Sequence, residues 1–191
     1  MSIPRPEKKY TYGDYLKWSD EERWELINGV PYAMGPAPLT EYQQILGELF
    51  VSLALYFREK NCRVFPAPFD VRLPQSDEKD EEISTVVQPD IVVVCDPDKL
   101  DERGCNGAPD MVVEIISSST AKKDLNEKFN LYERSGIQQY WVVFPKYKVV
   151  DIYNLDESGR YKKTESCSVG ERITSQLFPG LEIDVDVIFA E

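Results

Sequence analysis

The sequence predicts a mixed α/β fold of the α+β kind, a central mixed sheet flanked by helices behind an N-terminal hairpin. Three observations carry that prediction. Two near-continuous apolar runs, Ile91-Val92-Val93-Val94 and Met111-Val112-Val113-Glu114-Ile115-Ile116, read as strands covered on both faces. Apolar residues recur at helical spacing between Leu39 and Lys60. The element order is helix, strand, strand, strand, helix, strand, strand, which layers helices on a sheet.

Taken in order, residues 1–10 are polar and basic with two prolines and read as a loose arm. A short helix can start near Thr11. Trp24 to Ile27 and Val30 to Met34 flank Asn28-Gly29, a two-residue turn signal because both positions need positive φ. Pro36 and Pro38 break the chain before the long helix, whose buried side should hold Ile45, Leu49, Ser52, Leu53, Tyr56 and Phe57. Val64 to Leu73 reads as one strand near a sheet edge, since Pro66 and Pro68 interrupt it. An acidic loop over 75–85 precedes the first apolar run, and residues 96–110 read as a loop joining the two runs. Ser117 to Thr120 supply caps for a helix from Ala121 to Ser135, with Gly136 placed to end it. Strands follow at Gln139 to Phe144 and Lys148 to Asn154, and the remainder reads as strands and turns.

At 191 residues the chain suits one domain spanning 1–191 and is long enough to bury a core. No apolar stretch reaches the roughly 20 residues of a membrane helix. The start of the chain has no secretory h-region, so a cytoplasmic protein is expected. Cys62, Cys95, Cys105 and Cys167 form no Cys-x-x-Cys pair, and reduced thiols are the preferred reading. The absence of histidine excludes Ser-His-Asp and Cys-His chemistry and histidine-bound metals. Net charge is −12, with 22 basic and 34 acidic side chains. That charge argues against non-specific coating of nucleic acid and leaves room for a local basic cleft.

Two acids stand out against the apolar runs. Asp90, after Pro89, opens the first; Glu114 interrupts the second. A buried carboxylate costs several kcal/mol unless a cation or hydrogen-bond network meets it. Asp90 also reads as a solvated strand-start residue, and Glu114 as half of a buried ion pair. In the following helix Leu125, Phe129 and Tyr132 form an inward stripe that also contains Lys128, which must snorkel out or meet an anion. Spacing does not choose between those two. Lys122 and Lys123, in the first helical turn, are phosphate contacts or solvated lysines. Glu48 turns toward the sheet as an auxiliary acid or, more readily, pairs on the surface. Glu25, in the hairpin, reads as structural.

Pro89-Asp90 followed by Glu114 in the next strand resembles the PD-(D/E)XK, or restriction-endonuclease-like, superfamily. Several segments together resemble a large bacterial family of small endonuclease-like proteins long catalogued as a domain of unknown function. They are Trp24-Glu25-Leu26-Ile27-Asn28-Gly29, Gln88-Pro89-Asp90, Val113-Glu114-Ile115-Ile116-Ser117, Asp124-Leu125-x-x-Lys128, Tyr132 and Gly136-x-x-x-Tyr140-Trp141. The likeness spans nearly the whole chain. The signature lysine two residues after the acid is missing, because Ile116 stands there. That family generally draws its lysine from the following helix, a role Lys128 fits, with Lys122 or Lys123 as the fallback.

The resemblance implies a restriction-endonuclease-like core and a metal-dependent endonuclease that hydrolyses phosphodiester bonds, with DNA ahead of RNA. It implies Mg²⁺, with Mn²⁺ as a substitute, on Asp90, Glu114 and a backbone carbonyl near Ile115. Lys128 would be the catalytic cation, and Glu48 would hold a second metal or a water. A homodimer is the favoured assembly, since cutting both strands needs two sites. The alternative is a binding or scaffold module that keeps the fold without the chemistry, which the acidic surface and the displaced lysine favour.

Overall fold

The structure, a computed structural model, describes residues 8–18, 22–35, 39–117 and 121–190. Most of the expected N-terminal arm (residues 1–7), both Pro36 and Pro38, and the candidate caps Ser118 to Thr120 lie outside the described residues.

A single helical turn, α1 (Tyr12–Tyr15), precedes the hairpin of β1 (Trp24–Ile27) and β2 (Val30–Ala33). Asn28 and Gly29 turn it with φ of 50° and 78°, as the sequence requires. Helix α2 (Thr40–Phe57) leads to β3 (Arg63–Pro66), β4 (Val71–Arg72), β5 (Val86–Val87) and β6 (Ile91–Val94). A small hairpin of β7 (Leu100–Asp101) and β8 (Gly104–Asn106) comes before β9 (Met111–Ile115). A wide π-helical turn (Lys123–Lys128) runs into α3 (Phe129–Ser135), which Gly136 ends with φ 81°. Next come β10 (Gln139–Phe144), β11 (Val149–Leu155) and β12 (Tyr161–Ser168). Strands β13 (Arg172–Thr174) and β14 (Glu182–Asp184) and the turn α4 (Val185–Ile188) follow.

The central sheet has the order β12-β11-β10-β9-β6-β3. Strands β9 and β10 are parallel, and the helix between them makes the crossover such a pair needs. Alternation along the strands serves two cores. Ile91, Val93, Met111, Val113, Ile115, Trp141 and Val143 pack with Ile45, Leu49, Leu53 and Phe57 of α2. Val92, Val94, Val112, Tyr140 and Val142 pack with Leu131 and Tyr132 of α3. The apolar runs are continuous because the sheet is covered twice. By this alternation Glu114 takes the α3 face, beside Val112.

A second sheet, β2-β1-β5-β4-β8-β7, carries the N-terminal hairpin. The chain passes from this sheet to the central one between β5 and β6, through Gln88, Pro89 and Asp90. That crossing point fixes the site.

Three expectations need correction. Val64 to Leu73 is two strands in different sheets, because the chain turns at Ala67-Pro68 and β4 pairs with β5 and β8 instead. The segment 96–110 is more than a loop, since Cys105 of β8 pairs with Val71. Cys62 and Cys95 form a disulfide, so the reading of reduced thiols fails there. The antiparallel register that pairs Arg63 with Val94 puts these cysteines directly opposite, a relation invisible in their spacing. Cys105 and Cys167 are free and buried. No helix among the described residues is long and apolar enough to cross a membrane.

Candidate active site

The site forms where the two sheets meet. Ile91 pairs with Val113, so one step further along the register Asp90 stands across from Glu114. Asp90 is held by its own strand neighbour: the Ile115 N–H donates to its Oδ2 at 2.6 Å. The Tyr42 hydroxyl, from the first turns of α2, donates to its Oδ1. Glu114 Oε1 accepts from Lys128 Nζ at 2.8 Å and from the Tyr132 hydroxyl at 2.6 Å. Lys128 therefore meets an anion instead of snorkelling, and it is only 2 % exposed.

Its orientation comes from the wide turn. Within Lys123–Lys128 the inward residues are Asp124 and Lys128, spaced i, i+4, with Lys128 Nζ 3.8 Å from Asp124 Oδ1. Leu125 is correspondingly 38 % exposed, so it leaves the inward stripe expected of it. A widened turn changes the angular phase that a regular 3.6-residue helix would give, and such turns are frequent at functional sites.

A fourth acid completes the cluster. Glu25 of β1 is fully buried, with Oε1 2.8 Å from Lys128 Nζ and Oε2 2.5 Å from Lys123 Nζ. The Gln88 N–H donates to Glu25 Oε1 at 2.9 Å, which ties the acid to the backbone just ahead of Pro89-Asp90.

Among the described residues the cluster thus holds four carboxylates, Glu25, Asp90, Glu114 and Asp124, against two ammonium groups, Lys123 and Lys128. Their protonation divides accordingly. Burial alone would raise Glu25, but Lys128 and Lys123 outweigh it and hold its pKa down to about 2. Burial pushes Asp90 up to about 6, against the pull of Tyr42 and the Ile115 N–H. Burial also lifts Glu114 well above the usual range; Lys128 pulls it down, while Asp124, Asp90 and Glu25 push it further up. Burial disfavours the Lys128 ammonium, yet Glu114, Glu25 and Asp124 keep its pKa well above normal. The two acids that face each other across the sheet are the two pushed up, in a cluster where positive charge is short overall.

That shortage fits a divalent cation. Asp90 and Glu114 offer hard oxygen donors, and the local excess of two negative charges is what such an ion would neutralise. No group of three or more His, Cys, Asp or Glu among the described residues could hold a metal ion. A site of two carboxylates, completed by backbone and water, is the form Mg²⁺ usually takes.

The remaining sequence candidates separate. Lys123 is committed to Glu25, and Lys122 is exposed. Glu48 is also exposed and belongs outside the site. The α2 stripe through Ile45, Leu49 and Leu53 takes the sheet-facing side, and it is Tyr42, three residues before Ile45, that reaches Asp90. Glu25, read as structural, lies inside the cluster. A lone acid between Trp24 and Leu26-Ile27 in a strand carried the same signal as Glu114, yet its partners lie 63 to 103 positions away in sequence. The ring of Tyr132 lies in the core, as its place in the inward stripe requires, and its hydroxyl reaches Glu114.

Comparison with known proteins agrees with this architecture. The Uma2 family model, described as "putative restriction endonuclease", matches residues 12–186. "Uncharacterized protein slr1290" from Synechocystis sp. (strain ATCC 27184 / PCC 6803 / Kazusa) is 28 % identical over 193 residues, covering 98 % of this chain and 94 % of that protein. Among solved structures, a "putative nuclease belonging to DUF820" from Anabaena variabilis ATCC 29413 superposes with a TM-score of 0.69 at 19 % identity. The match covers 94 % of this chain and 97 % of the other, and it shows a shared fold.

Proposed function

The chain belongs to the Uma2 family, and on that premise we propose that it is a Mg²⁺-dependent endonuclease that hydrolyses phosphodiester bonds in DNA. The observation that carries this reading is the facing pair Asp90 and Glu114, short of positive charge beside the buried Lys128.

Asp90 and Glu114 would hold the cation, with Mn²⁺ able to substitute. The chemistry Mg²⁺ supplies when bound is to make water a better nucleophile and to offset charge on the scissile phosphate. The chain's own groups prepare the rest. The Ile115 N–H and the Tyr42 hydroxyl fix the Asp90 carboxylate in one orientation. Tyr132 does the same for Glu114. Lys128 sets a permanent positive charge beside the pair, where it opposes the charge that builds on phosphate in the transition state. Lys122, exposed at the start of the same helical segment, is the cation available to the substrate backbone, since Lys123 is engaged. A homodimer belongs to the same proposal, because cutting both strands takes two such sites.

The test is nicking of supercoiled plasmid DNA with Mg²⁺ or Mn²⁺. Wild type should relax and linearise the plasmid, and Asp90→Asn should lose that activity while staying folded. Cation binding without cleavage of DNA or RNA would favour the alternative, a nuclease-fold module that binds without cutting.

A further inference from the structure

Lys128 has two carboxylate partners at equal range, 2.8 Å to Glu114 Oε1 and 2.8 Å to Glu25 Oε1. They are not equivalent. Glu114 stands in the central sheet opposite Asp90, whereas Glu25 comes from β1 in the other sheet. Glu25 is anchored at both oxygens, by the Gln88 N–H and Lys128 on Oε1 and by Lys123 on Oε2. It thus keeps a fixed position whatever Glu114 does.

The arrangement answers a conflict inherent in the site. A cation on Glu114 competes with Lys128 for the same carboxylate. A lysine held by Glu114 alone would be expelled by the ion or would keep the ion out. A lysine also held by Glu25 can release Glu114 and stay. We propose that Glu25 is a positioning residue: it retains the Lys128 ammonium in the site while Glu114 serves as ligand to a divalent cation. This rests on the metal-site reading above. It assigns the N-terminal hairpin a part in the chemistry, since that hairpin delivers Glu25.

The test reads Lys128 directly, by amine acylation followed with peptide mass spectrometry, alongside Mn²⁺ calorimetry on the same proteins. Exposed Lys122 is the internal standard. In wild type, with or without saturating Mn²⁺, Lys128 should react slower than Lys122 by about tenfold or more, as expected of a group that reacts only through local opening. Glu114→Gln, which neutralises that carboxylate without any metal, should leave Lys128 equally protected. In Glu25→Gln, Mn²⁺ should raise Lys128 reactivity about tenfold, because the ion then takes Glu114 and leaves only Asp124, 3.8 Å away. A Glu25 that merely supports the fold would change Lys128 equally with and without Mn²⁺, and that result overturns the proposal. So does exposure of Lys128 in Glu114→Gln. If Glu25→Gln does not fold, Glu25→Asp, which draws the carboxylate back by one methylene, takes its place with the same Mn²⁺-dependent rise expected. If wild type binds no Mn²⁺, the metal reading falls, while faster acylation of Lys128 in the double variant Glu25→Gln/Glu114→Gln than in Glu114→Gln still shows whether Glu25 holds Lys128.

Discussion

Among the described residues, the two charge clusters around Arg72 and Lys128 behave in opposite ways. Around Arg72, itself 1 % exposed, Asp80 and Asp101 supply carboxylates, Asp101 with both oxygens at 2.7 Å, and Arg103 adds a second guanidinium 3.5 Å from Asp80. Two cations meet two acids, and both acids reach solvent, with side chains 31 % and 44 % exposed. Burial would raise Asp101, but the Arg72 guanidinium and the Arg103 N–H hold it below the usual carboxylate range. In the cluster around Lys128 two cations meet four acids, all buried, and Asp90 and Glu114 are pushed up. Burial of charge is thus common to both. What distinguishes the candidate site is that, among the described residues, its acids outnumber its cations by four to two, and that surplus of negative charge is what a ligand could relieve.

The sharpest contrast should come from removing one acid. Glu114→Gln is expected to abolish Mn²⁺ binding in calorimetry while leaving Tm unchanged or slightly raised, because it takes negative charge out of a crowd. An ordinary buried ion pair would instead lose roughly 3–5 kcal/mol on losing a partner. A Glu114→Gln protein that is badly destabilised and still binds Mn²⁺ would erase the distinction between the clusters. Removing the cation should reverse the pattern. Lys128→Met leaves Glu25, Glu114 and Asp124 without their shared ammonium, and chemical denaturation should show a loss of about 3–5 kcal/mol. Arg72→Met should cost less, about 2–3 kcal/mol, since Asp80 and Asp101 can turn to water. It should also leave Mn²⁺ affinity at the wild-type value, which the same calorimetry checks.

Much of this was legible in the sequence because it is local. Periodicity marked α2, the apolar runs marked β6 and β9, and Asn28-Gly29 marked the hairpin. Asp90, Glu114 and Lys128 were legible because each violates the pattern of its own element. Glu25 broke its strand's pattern too, but its meaning depends on a contact between sheets that no spacing encodes. The disulfide escaped for a related reason: Cys62 and Cys95 meet through strand register, 33 residues apart. Glu48 is exposed, the readier of its two readings. Helix α2 presents Tyr42 and Ile45 to the sheet and Glu48 to water. The inward phase of Leu125 failed because a π-helical turn is not a period that apolar spacing reveals.

The smallest effect is also the most selective, and it lies in the pH dependence of stability without metal. Asp90 has its pKa raised from about 3.8 to about 6, so between those values the folded protein binds more protons than the unfolded chain. Its contribution to stability must therefore fall as pH rises through that window and level off above about 6. Glu25, lowered from 4.5 to about 2, works the other way, since there the unfolded chain binds more protons and stability rises with pH until its unfolded value is passed. The two together should give metal-free wild type a Tm that climbs from pH 2 to about 4 and then declines toward 6. Asp90→Asn should keep the climb and make the decline shallower, leaving the share that the likewise raised Glu114 contributes. Saturating Mg²⁺ should flatten it in wild type as well, because the cation stabilises the ionised pair, and should do nothing to Asp90→Asn. A decline that persists unchanged in both Asp90→Asn and Glu114→Gln would place the excess charge elsewhere and make this cluster no different in kind from the one around Arg72.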